Sequence, residues 1–292
     1  PQTDGLRRDP CGGRDKFHGR KVETMYDFSK VPSILCAASQ IMLSADRPEN
    51  ATHAKSGAQN FVTDYDIRTE QFLRAAFADA LPDWDMLGEE SADTHPAKIA
   101  GGQTLIVDPI DGTTNFMEDC RCSAISVGAC DRGTMVYGAV YNPYADELFY
   151  AVRGGGAYLV HDGTERRIRV STRSLSDGLC LFGTSPYYRD RLGKATFTSL
   201  WSLFQCCRDI RRSGSAALDL CAIAAGRGDV FFEYLLSPWD YAAGSLLITE
   251  AGGAICTFDG SPVAFDHPSP VLAGNPDTVA QVLQKGVLQT NL

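Results

Sequence analysis

The 292-residue sequence has no apolar run approaching the roughly 18 residues that a membrane-spanning helix needs, and its N-terminus shows no signal-peptide layout. Basic residues are in the minority, since 27 Lys and Arg stand against 36 Asp and Glu and leave a net charge of −9. Proteins that bind nucleic acids or anionic membranes neutralise phosphate charges with basic residues. We therefore expect a soluble protein with no nucleic-acid or membrane partner, although a bound metal ion still permits a small phosphorylated substrate.

The sequence also lacks the paired spacings of a zinc site. Its ten cysteines form no C-x-x-C pair and its five histidines form no H-x-x-x-H pair. A chain of this length does not depend on disulfides, so we expect reduced thiols that serve mostly as small core residues, and a cytoplasmic protein. The histidines are expected at surface or turn positions, namely His18, His53, His95, His161 and His267.

What the sequence does contain is the composition of a folded protein, with 44% apolar and 22% charged residues. Residues 1–24 are polar and show no apolar period, so we interpret them as an N-terminal extension or an added remnant that precedes a native start at Met25. The rest, residues 25–292, is expected to form one domain with lobes at about residues 25–168 and 169–292.

Periodicity predicts a mixed α/β protein. Strand signals dominate from about residue 82 to residue 170, and glycines between the later strands indicate hairpin turns rather than a phosphate-binding loop. Strands are also expected near residues 230–233 and 254–257. Helices are expected from Met25 through Met42 and at about residues 67–80, 192–207, 216–225, 238–251 and 276–288. Antiparallel strands followed by mixed α/β structure favour packed sheets with helical layers.

The segment DPIDGTTNF, residues 108–116, carries the clearest chemical signal. An apolar strand ends at Asp108, Pro109 keeps Asp108 extended, and Asp111 follows on a turn that Gly112 permits. The amides of Gly112 and Thr113 are then available to an anion at a helix N-terminus. Carboxylates beside an anion site require a cation between them, and Mg²⁺ commonly bridges carboxylates and substrate phosphates.

Two further acidic segments accompany it. Glu89 and Glu90 follow a short apolar run, and alone they would be interpreted as a solvated loop edge. Asp240 lies in the first turn of a predicted helix, after Ser237 and Pro238, where an acid also has a purely structural role with the helix dipole.

Together these segments resemble the inositol monophosphatase family, within the Mg²⁺-dependent phosphatases that include fructose-1,6-bisphosphatase. The string DPIDGTTNF matches the first family signature, WDYAAG at residues 239–244 matches the second, and GEES at residues 88–91 precedes both at the familiar interval. The likeness runs from about Lys55 to the C-terminal helix. It implies a layered αβαβα sandwich, a catalytic domain over residues 25–292 and a homodimer.

The resemblance also implies a ligand set for two or three Mg²⁺ ions. Glu89, Asp108 and the Ile110 carbonyl would hold the first ion. Asp108, Asp111 and Asp240 would hold the second, and Glu89 with water molecules a third.

Catalytic and substrate roles follow in the same way. Asp66 would pair with Thr113 to orient the attacking water, with Lys55 and Glu90 close to the metal-bound waters. Substrate contacts are implied for Asp111, Gly112, Thr113, Gly214, Ser215, Ala216 and Glu233. The implied reaction is direct in-line hydrolysis of a phosphate monoester without a phosphoenzyme, for which the ions supply water activation and charge neutralisation.

The substrate is left open between several small phosphates. Inositol 1-phosphate is the first expectation, because Glu233 would accept hydrogen bonds from polyol hydroxyls. Fructose 1,6-bisphosphate, histidinol phosphate, NADP and 3′-phosphoadenosine 5′-phosphate are alternatives, as is a regulatory or RNA-associated role on the same fold. Glu118, Arg121 and Ser237 depart from residues common in the family and weaken the case for inositol phosphate.

Four other polar residues near these motifs are expected to have no catalytic role. Arg211 and Arg212 are interpreted as a solvated basic pair, with attraction of substrate phosphate as the alternative. Asp64 is expected to be solvated on a strand-like segment, and Glu250 to have a structural role at a helix surface or end.

Overall fold

The computed structural model of the chain describes residues 26–45, 52–54, 61–94 and 99–289. The α-helices in this part of the chain are α1 (Val31–Leu43), α2 (Asp64–Ala80), α3 (Thr113–Met117), α4 (Arg189–Phe204), α5 (Ala216–Ala224), α6 (Pro238–Glu250) and α7 (Pro276–Lys285). Its strands are β1 (Thr52–Ala54), β2 (Phe61–Thr63), β3 (Asp85–Gly88), β4 (Gln103–Asp111), β5 (Ala124–Asp131), β6 (Thr134–Asn142), β7 (Glu147–Val152), β8 (Gly156–His161), β9 (Thr164–Ile168), β10 (Leu179–Phe182), β11 (Asp209–Arg211), β12 (Val230–Leu236), β13 (Ala254–Cys256) and β14 (Ser269–Gly274).

Two large sheets organise these elements. The first has seven strands in the sequential order β3 to β9, of which only the β3–β4 pair is parallel. The second has five strands in the order β11-β10-β12-β14-β13, with β10 parallel to both of its neighbours. The seven-stranded sheet ends at Ile168, close to the expected lobe boundary, although the division into lobes itself stays a prediction.

The helices lie in layers on both faces of these sheets. One core packs α1 and α2 against the seven-stranded sheet, and a second fills the space between the two sheets with residues of α5 and α6. A third core packs α4 and α7 on the far face of the five-stranded sheet. The order is therefore helix, sheet, helix, sheet, helix, and the predicted αβαβα sandwich is confirmed.

The start of α2 follows from local chemistry. The Thr63 side chain accepts hydrogen bonds from the amides of Tyr65 and Asp66, and Asp66 accepts one from the Thr63 amide at 2.8 Å. This capping box begins the helix at Asp64, three residues earlier than predicted. Asp64 is exposed as expected, but it lies in a helical turn rather than in a strand-like segment.

The helix predicted from Met25 is wrong at its start. Residues 26–30 form bends and turns, and α1 begins at Val31 with Pro32 in its first turn. Tyr26 and Phe28 instead contact Trp84 through their aromatic rings, at centroid distances of 5.1 and 5.4 Å. This packing holds residues 26–30 outside the helix.

The hairpins predicted at the glycine clusters are confirmed between β7 and β8 and between β8 and β9. Glu250 has the structural role expected of it, because its carboxylate accepts hydrogen bonds from the amides of Gly154 and Gly156 at 2.7 and 2.8 Å. The sequence analysis missed β1, β2, β3, β10, β11 and β14 among the described strands, which are short or lack clear alternation.

Eight of the described cysteines are free, as expected. Cys36 is disulfide-bonded, which contradicts the expectation of reduced thiols throughout. His161 and His267 are exposed, as predicted. The expectations for residues 1–24, Lys55, His18 and His95, and for the His53 side chain, lie outside what is described. None of the described helices combines the length and the apolar character needed to cross a lipid bilayer.

Close packing of α6 on β6 gives a test of the central layer. A Cβ added at Gly138 would lie 2.8 Å from the Ala243 carbonyl oxygen and 3.0 Å from its Cα, and this helix backbone cannot rotate away. We expect Gly138→Ala to lower the free energy of unfolding by about 1–3 kcal/mol, measured by urea titration in the presence of a chelator.

A matched control uses a glycine with open space around it. Gly193 lies inside α4 with no atom within 4 Å of an added Cβ, and its φ is not positive. Gly193→Ala should leave stability unchanged or raise it by up to about 1 kcal/mol. Equal losses in both variants would contradict the packing explanation.

Candidate active site

A cavity of about 540 Å³ lies where the end of β4 meets the beginnings of α3, α5 and α6. Most of the residues implied by the resemblance line it, and these are Glu89, Asp108, Ile110, Asp111, Gly112, Thr113, Gly214, Ser215, Ala216, Glu233 and Asp240. Asp66 lies behind this wall, Glu90 is adjacent to Glu89 but does not line the cavity, and Lys55 is outside the described residues.

Three carboxylates meet closely in this cavity. Oxygen atoms of Asp108, Asp111 and Asp240, which we call the carboxylate cluster, all lie within 4.8 Å of one another. Glu89 lines the same cavity outside this cluster, and its negative charge raises the pKa of Asp108. Segments that are more than 100 residues apart in the sequence are therefore brought to one point.

An irregularity in β4 places two of these acids on the same wall. Asp108 pairs with Ser126 and Asp111 with Ala124, so the register shifts between the two aspartates. The strand continues through Pro109 at this shift, a position where proline is tolerated because the ladder is already interrupted. The Ile110 amide donates to Asp108 Oδ1 at 3.0 Å and fixes the first carboxylate.

The other two members of the cluster are held at helix beginnings. Asp111 Oδ2 accepts hydrogen bonds from the Ser215 hydroxyl and, at 3.0 Å, from the Ala217 amide, both at the start of α5. Asp240 accepts from the Ser237 amide at 2.7 Å in the capping box of α6. Asp240 therefore has the structural role at a helix beginning that the sequence allowed, and it also lines the cavity.

Burial and mutual repulsion disfavour ionisation of the cluster. Burial raises the pKa of Asp108 and Asp240 well above the usual range, and neighbouring carboxylates raise both further. Burial also raises the pKa of Asp111 to about 6, although its hydrogen bonds from Ser215 and Ala217 oppose the change. Oxygen donors in a buried, negatively charged group fit a hard divalent cation such as Mg²⁺, which would relieve this repulsion.

Thr113 and Asp66 form a connected pair next to the cluster. The Thr113 hydroxyl lies 3.2 Å from Asp66 Oδ1 and also 3.2 Å from the Ile110 carbonyl oxygen, so it can donate to either. Asp66 is fully buried and further held by the amide and hydroxyl of Thr63. The Thr113 oxygen can therefore accept a hydrogen bond from a water molecule in the cavity.

A carboxylate that sequence analysis missed supports the Glu89 loop. Glu70 is buried on α2 and accepts hydrogen bonds from the Glu90 amide at 2.8 Å and from the Ser91 hydroxyl. A Cβ at Gly88 would lie 2.3 Å from the Glu70 carboxyl carbon, so only glycine permits this contact. Glu70 is 20 residues away in sequence from Glu90, and no local pattern indicates their contact.

Glu233 is likewise held by residues that the sequence did not reveal. Its Oε1 accepts from the Ser185 amide at 2.7 Å and the Ser185 hydroxyl at 3.2 Å. Ser185 has a φ of 42°, an uncommon conformation for a residue with a side chain. A Cβ at Gly183 would lie 1.8 Å from Glu233 Oε2, so glycine is required for the carboxylate to take this position.

Asn115 connects the segment DPIDGTTNF to the loop that precedes α5. Its Nδ2 donates to the carbonyl oxygens of Cys122 and Ser213 at 2.7 and 2.9 Å.

Arg211 and Arg212 are both exposed, as predicted, but they differ in role. Arg211 pairs with Asp209 at 2.5 Å, whereas Arg212 lines the cavity.

The sequence and the fold of this chain are similar to those of known proteins. The profile of the inositol monophosphatase family matches residues 25–290. An inositol-1-monophosphatase from Caulobacter vibrioides is 38% identical over 234 residues, covering 80% of this chain and 89% of that protein. Nus factor SuhB from Pasteurella multocida is 35% identical over 251 residues, covering 85% and 91%. The crystal structure of extragenic suppressor protein SuhB from Bartonella henselae superimposes with a TM-score of 0.77 at 30% identity, covering 90% and 98%.

Glu233 gives a pH prediction. Burial is the main cause that raises its pKa from 4.5 to about 7, while the Ser185 hydrogen bonds lower it. The folded state therefore keeps a proton that the unfolded chain releases, so this contribution is complete below pH 4.5 and lost as pH rises to about 7. Relative to the non-titrating Glu233→Gln variant, metal-free wild type should lose on the order of 3 kcal/mol of stability between these values.

The measurement is urea unfolding from pH 4 to pH 8 with a chelator present. Glu118→Gln, at an exposed position, is the control and should follow the wild-type curve at every pH. Parallel curves for wild type and Glu233→Gln would show that the Glu233 carboxyl does not hold its proton in the folded state.

Proposed function

The chain belongs to the inositol monophosphatase family, and we propose that it is a Mg²⁺-dependent phosphatase that hydrolyses a small phosphorylated polyol, with inositol 1-phosphate the leading substrate. The observation that carries this proposal is the carboxylate cluster, with three oxygens within 4.8 Å, next to the Thr113–Asp66 pair. The relative from Caulobacter vibrioides, named inositol-1-monophosphatase, supports the choice of substrate.

Two or three Mg²⁺ ions would be held by this chain's oxygen donors. In the proposal Glu89, Asp108 and the Ile110 carbonyl hold one ion, Asp108, Asp111 and Asp240 hold another, and Glu89 contributes to a third. When bound, such ions polarise the phosphate, lower the pKa of an attacking water and stabilise the leaving alkoxide. Their fit rests on the buried, uncompensated charge of the cluster.

Thr113 and Asp66 orient the nucleophilic water. The Thr113 hydroxyl donates to Asp66, which leaves its oxygen lone pairs to accept a hydrogen bond from the water. As the water attacks phosphorus in line, its proton passes to Thr113 while the Thr113 proton passes to Asp66. Glu90 and Lys55 are proposed to assist near this water, as the family resemblance implies.

Backbone amides and Glu233 would bind the substrate. The amides of Gly112 and Thr113 would bind the phosphoryl oxygens, since α3 begins at Thr113 and both residues line the cavity. Glu233 would accept hydrogen bonds from polyol hydroxyls, with Gly214, Ser215 and Ala216 lining the same region. Asp111 would contribute both to the ion and to the substrate.

Other members of the superfamily act on other phosphates, and these remain alternatives: fructose 1,6-bisphosphate, histidinol phosphate, NADP and 3′-phosphoadenosine 5′-phosphate. Nucleotide-acting relatives usually carry lysine and glutamate at the positions of Thr114 and Asn115. The hydrogen bonds of Asn115 to Cys122 and Ser213 favour the polyol alternative, because a longer acidic side chain could not make both.

We also propose a cytoplasmic homodimer.

The aspartate shared between the two proposed ions gives the decisive test. Asp108→Asn should lower Mg²⁺-dependent phosphate release at least 100-fold while the circular dichroism spectrum is retained. Phosphate release is measured on inositol 1-phosphate and each alternative substrate, and Mg²⁺ binding by thermal shift. The variant should also lose most of the Mg²⁺-induced rise in melting temperature.

Asp79→Asn, which removes an exposed aspartate on α2, is the matched control and should behave like wild type. Wild-type rates in Asp108→Asn would refute the shared-ligand role. A clear preference for a nucleotide over every polyol phosphate would refute the substrate class while leaving the phosphatase assignment intact.

A second candidate function rests on the relatives named Nus factor SuhB, which match 85% of this chain. In this alternative the fold serves a regulatory or RNA-associated role, alone or in addition to catalysis. If so, affinity-purified protein should retain a protein partner after nuclease treatment, identified by mass spectrometry. Recovery of the chain alone, compared with a parallel purification of Asp108→Asn, would count against this role.

A further inference from the structure

Glu70 is a buried carboxylate on α2 that the proposed mechanism does not use. It is 4% exposed and does not line the cavity. It lies one helical turn after Asp66, so the two acids share one face of α2. Asp66 contacts Thr113, whereas Glu70 contacts the loop that follows β3 and carries Glu89. One face of a single helix therefore supports two different parts of the cavity wall.

The groups that contact the Glu70 carboxylate in the described part of the chain donate hydrogen bonds to it. Its Oε2 accepts from the Glu90 amide at 2.8 Å, and its Oε1 accepts from the Ser91 hydroxyl. Arg74 Nη2 donates to Glu70 Oε1 at 3.3 Å and to the Ser91 hydroxyl oxygen at 2.6 Å, which leaves the hydroxyl proton for Glu70. A carboxylate satisfies all three donors because both of its oxygens accept, whereas an amide side chain offers one oxygen.

These contacts fix the backbone on one side of Glu89. The Glu89 amide donates to the Val107 carbonyl oxygen at 3.1 Å, next to Asp108 on β4. The following amide, that of Glu90, donates to Glu70. The Cα of Glu89 therefore lies between two hydrogen-bonded amides, and Glu70 supplies the acceptor for one of them. The direction in which the Glu89 side chain leaves the backbone depends on both.

Gly88 allows the carboxylate to approach this loop. A Cβ added at Gly88 would overlap the carboxyl group of Glu70. The φ of Gly88 is not positive, so the glycine is needed for space rather than for its backbone conformation. The loop and α2 therefore meet at a contact that one methyl group would displace.

We propose that Glu70 is a positioning residue: by holding the Glu90 amide, it fixes Glu89 in the cavity that contains the carboxylate cluster and so sets the affinity for Mg²⁺. The inference rests on the proposed function and extends it to a residue outside the cavity lining. Side chains that orient metal ligands through hydrogen bonds change metal affinity by about 10–100-fold when they are replaced.

The test compares wild type with Glu70→Met, which has a similar length but no oxygen acceptor, and Glu70→Gln, which keeps one oxygen. The Mg²⁺ dissociation constant is measured by titration calorimetry, and kcat for inositol 1-phosphate is measured at saturating Mg²⁺. Glu70→Met should raise the dissociation constant about tenfold or more. Its kcat should stay within about threefold of wild type, because the Thr113–Asp66 pair keeps its own hydrogen bond. Glu70→Gln should have a smaller effect, because its oxygen can still accept from the Glu90 amide.

Asp229→Asn is the matched control for a purely structural role. Asp229 is a buried acid whose carboxylate also accepts from an arginine, a serine hydroxyl and a backbone amide, namely those of Arg173, Ser171 and Leu179. None of these four residues lines the cavity. Asp229→Asn should lower the melting temperature of the metal-free protein and leave the Mg²⁺ dissociation constant unchanged. An unchanged constant in folded Glu70→Met, or an equal rise in Asp229→Asn, overturns the proposal.

Gly88→Ala tests the same contact from the side of the loop. The added methyl group displaces the Glu70 carboxylate without removing it, so the Mg²⁺ dissociation constant should rise as it does in Glu70→Met. Gly193→Ala, at a glycine with open space around it, is the control and should bind Mg²⁺ like wild type. If Glu70→Met does not fold, Gly88→Ala decides, and an unchanged dissociation constant in that variant then overturns the proposal.

Failure of the phosphatase function is recognised separately, because Mg²⁺ binding is measured without substrate. If wild type binds Mg²⁺ but releases no phosphate, a weaker affinity in Glu70→Met would retain the role of Glu70 while the catalytic function is refuted. A wild-type protein that releases phosphate, with equal Mg²⁺ affinity in Glu70→Met, would refute the role of Glu70 alone. A wild-type protein that does not bind Mg²⁺ would refute both.

Discussion

The structure depends on keeping several like charges together in a buried place. The oxygens of Asp108, Asp111 and Asp240 lie within 4.8 Å of one another, and their burial raises the pKa of all three. Such an arrangement is unfavourable for a chain without bound cations, since each ionised carboxylate opposes the others. The surrounding fold must therefore supply enough rigidity to hold the acids in place before any ion binds.

That rigidity comes from backbone amides. The Ile110 amide holds Asp108, the Ala217 amide holds Asp111, and the Ser237 amide holds Asp240, at 2.7 to 3.0 Å. The Ala217 and Ser237 amides belong to the beginnings of α5 and α6, whose own amides lack partners within the helix. The αβαβα layering directs both helix beginnings at the irregular end of β4. The packing that forms the fold therefore also assembles the site.

Sequence analysis could predict those parts of the site that are encoded locally. The spacing of Asp108 and Asp111 around Pro109, and the position of Asp240 three residues after Ser237, both follow from short-range rules for strands and helix caps. The layered fold came from the family resemblance, because no periodicity specifies the order of layers. The hairpins at the turns that contain Gly154 and Gly163 were predictable for the same local reason.

What sequence analysis missed consists of contacts between distant segments. Glu70 reaches the Glu90 amide only because Gly88 has no side chain, and Ser185 reaches Glu233 only because Gly183 has none. The edge strand β11 and the inner strand β14 were missed because each is defined by its partners rather than by its own alternation.

The residues that line the cavity are held in place in two different ways. The carboxylate cluster and Thr113 are contributed by the end of β4 and by helix beginnings that amides fix rigidly. Glu233 on β12 is instead held by the amide and hydroxyl of Ser185, which is 48 residues away in the sequence. Its position therefore depends on the loop that follows β10 rather than on the beginning of an α-helix.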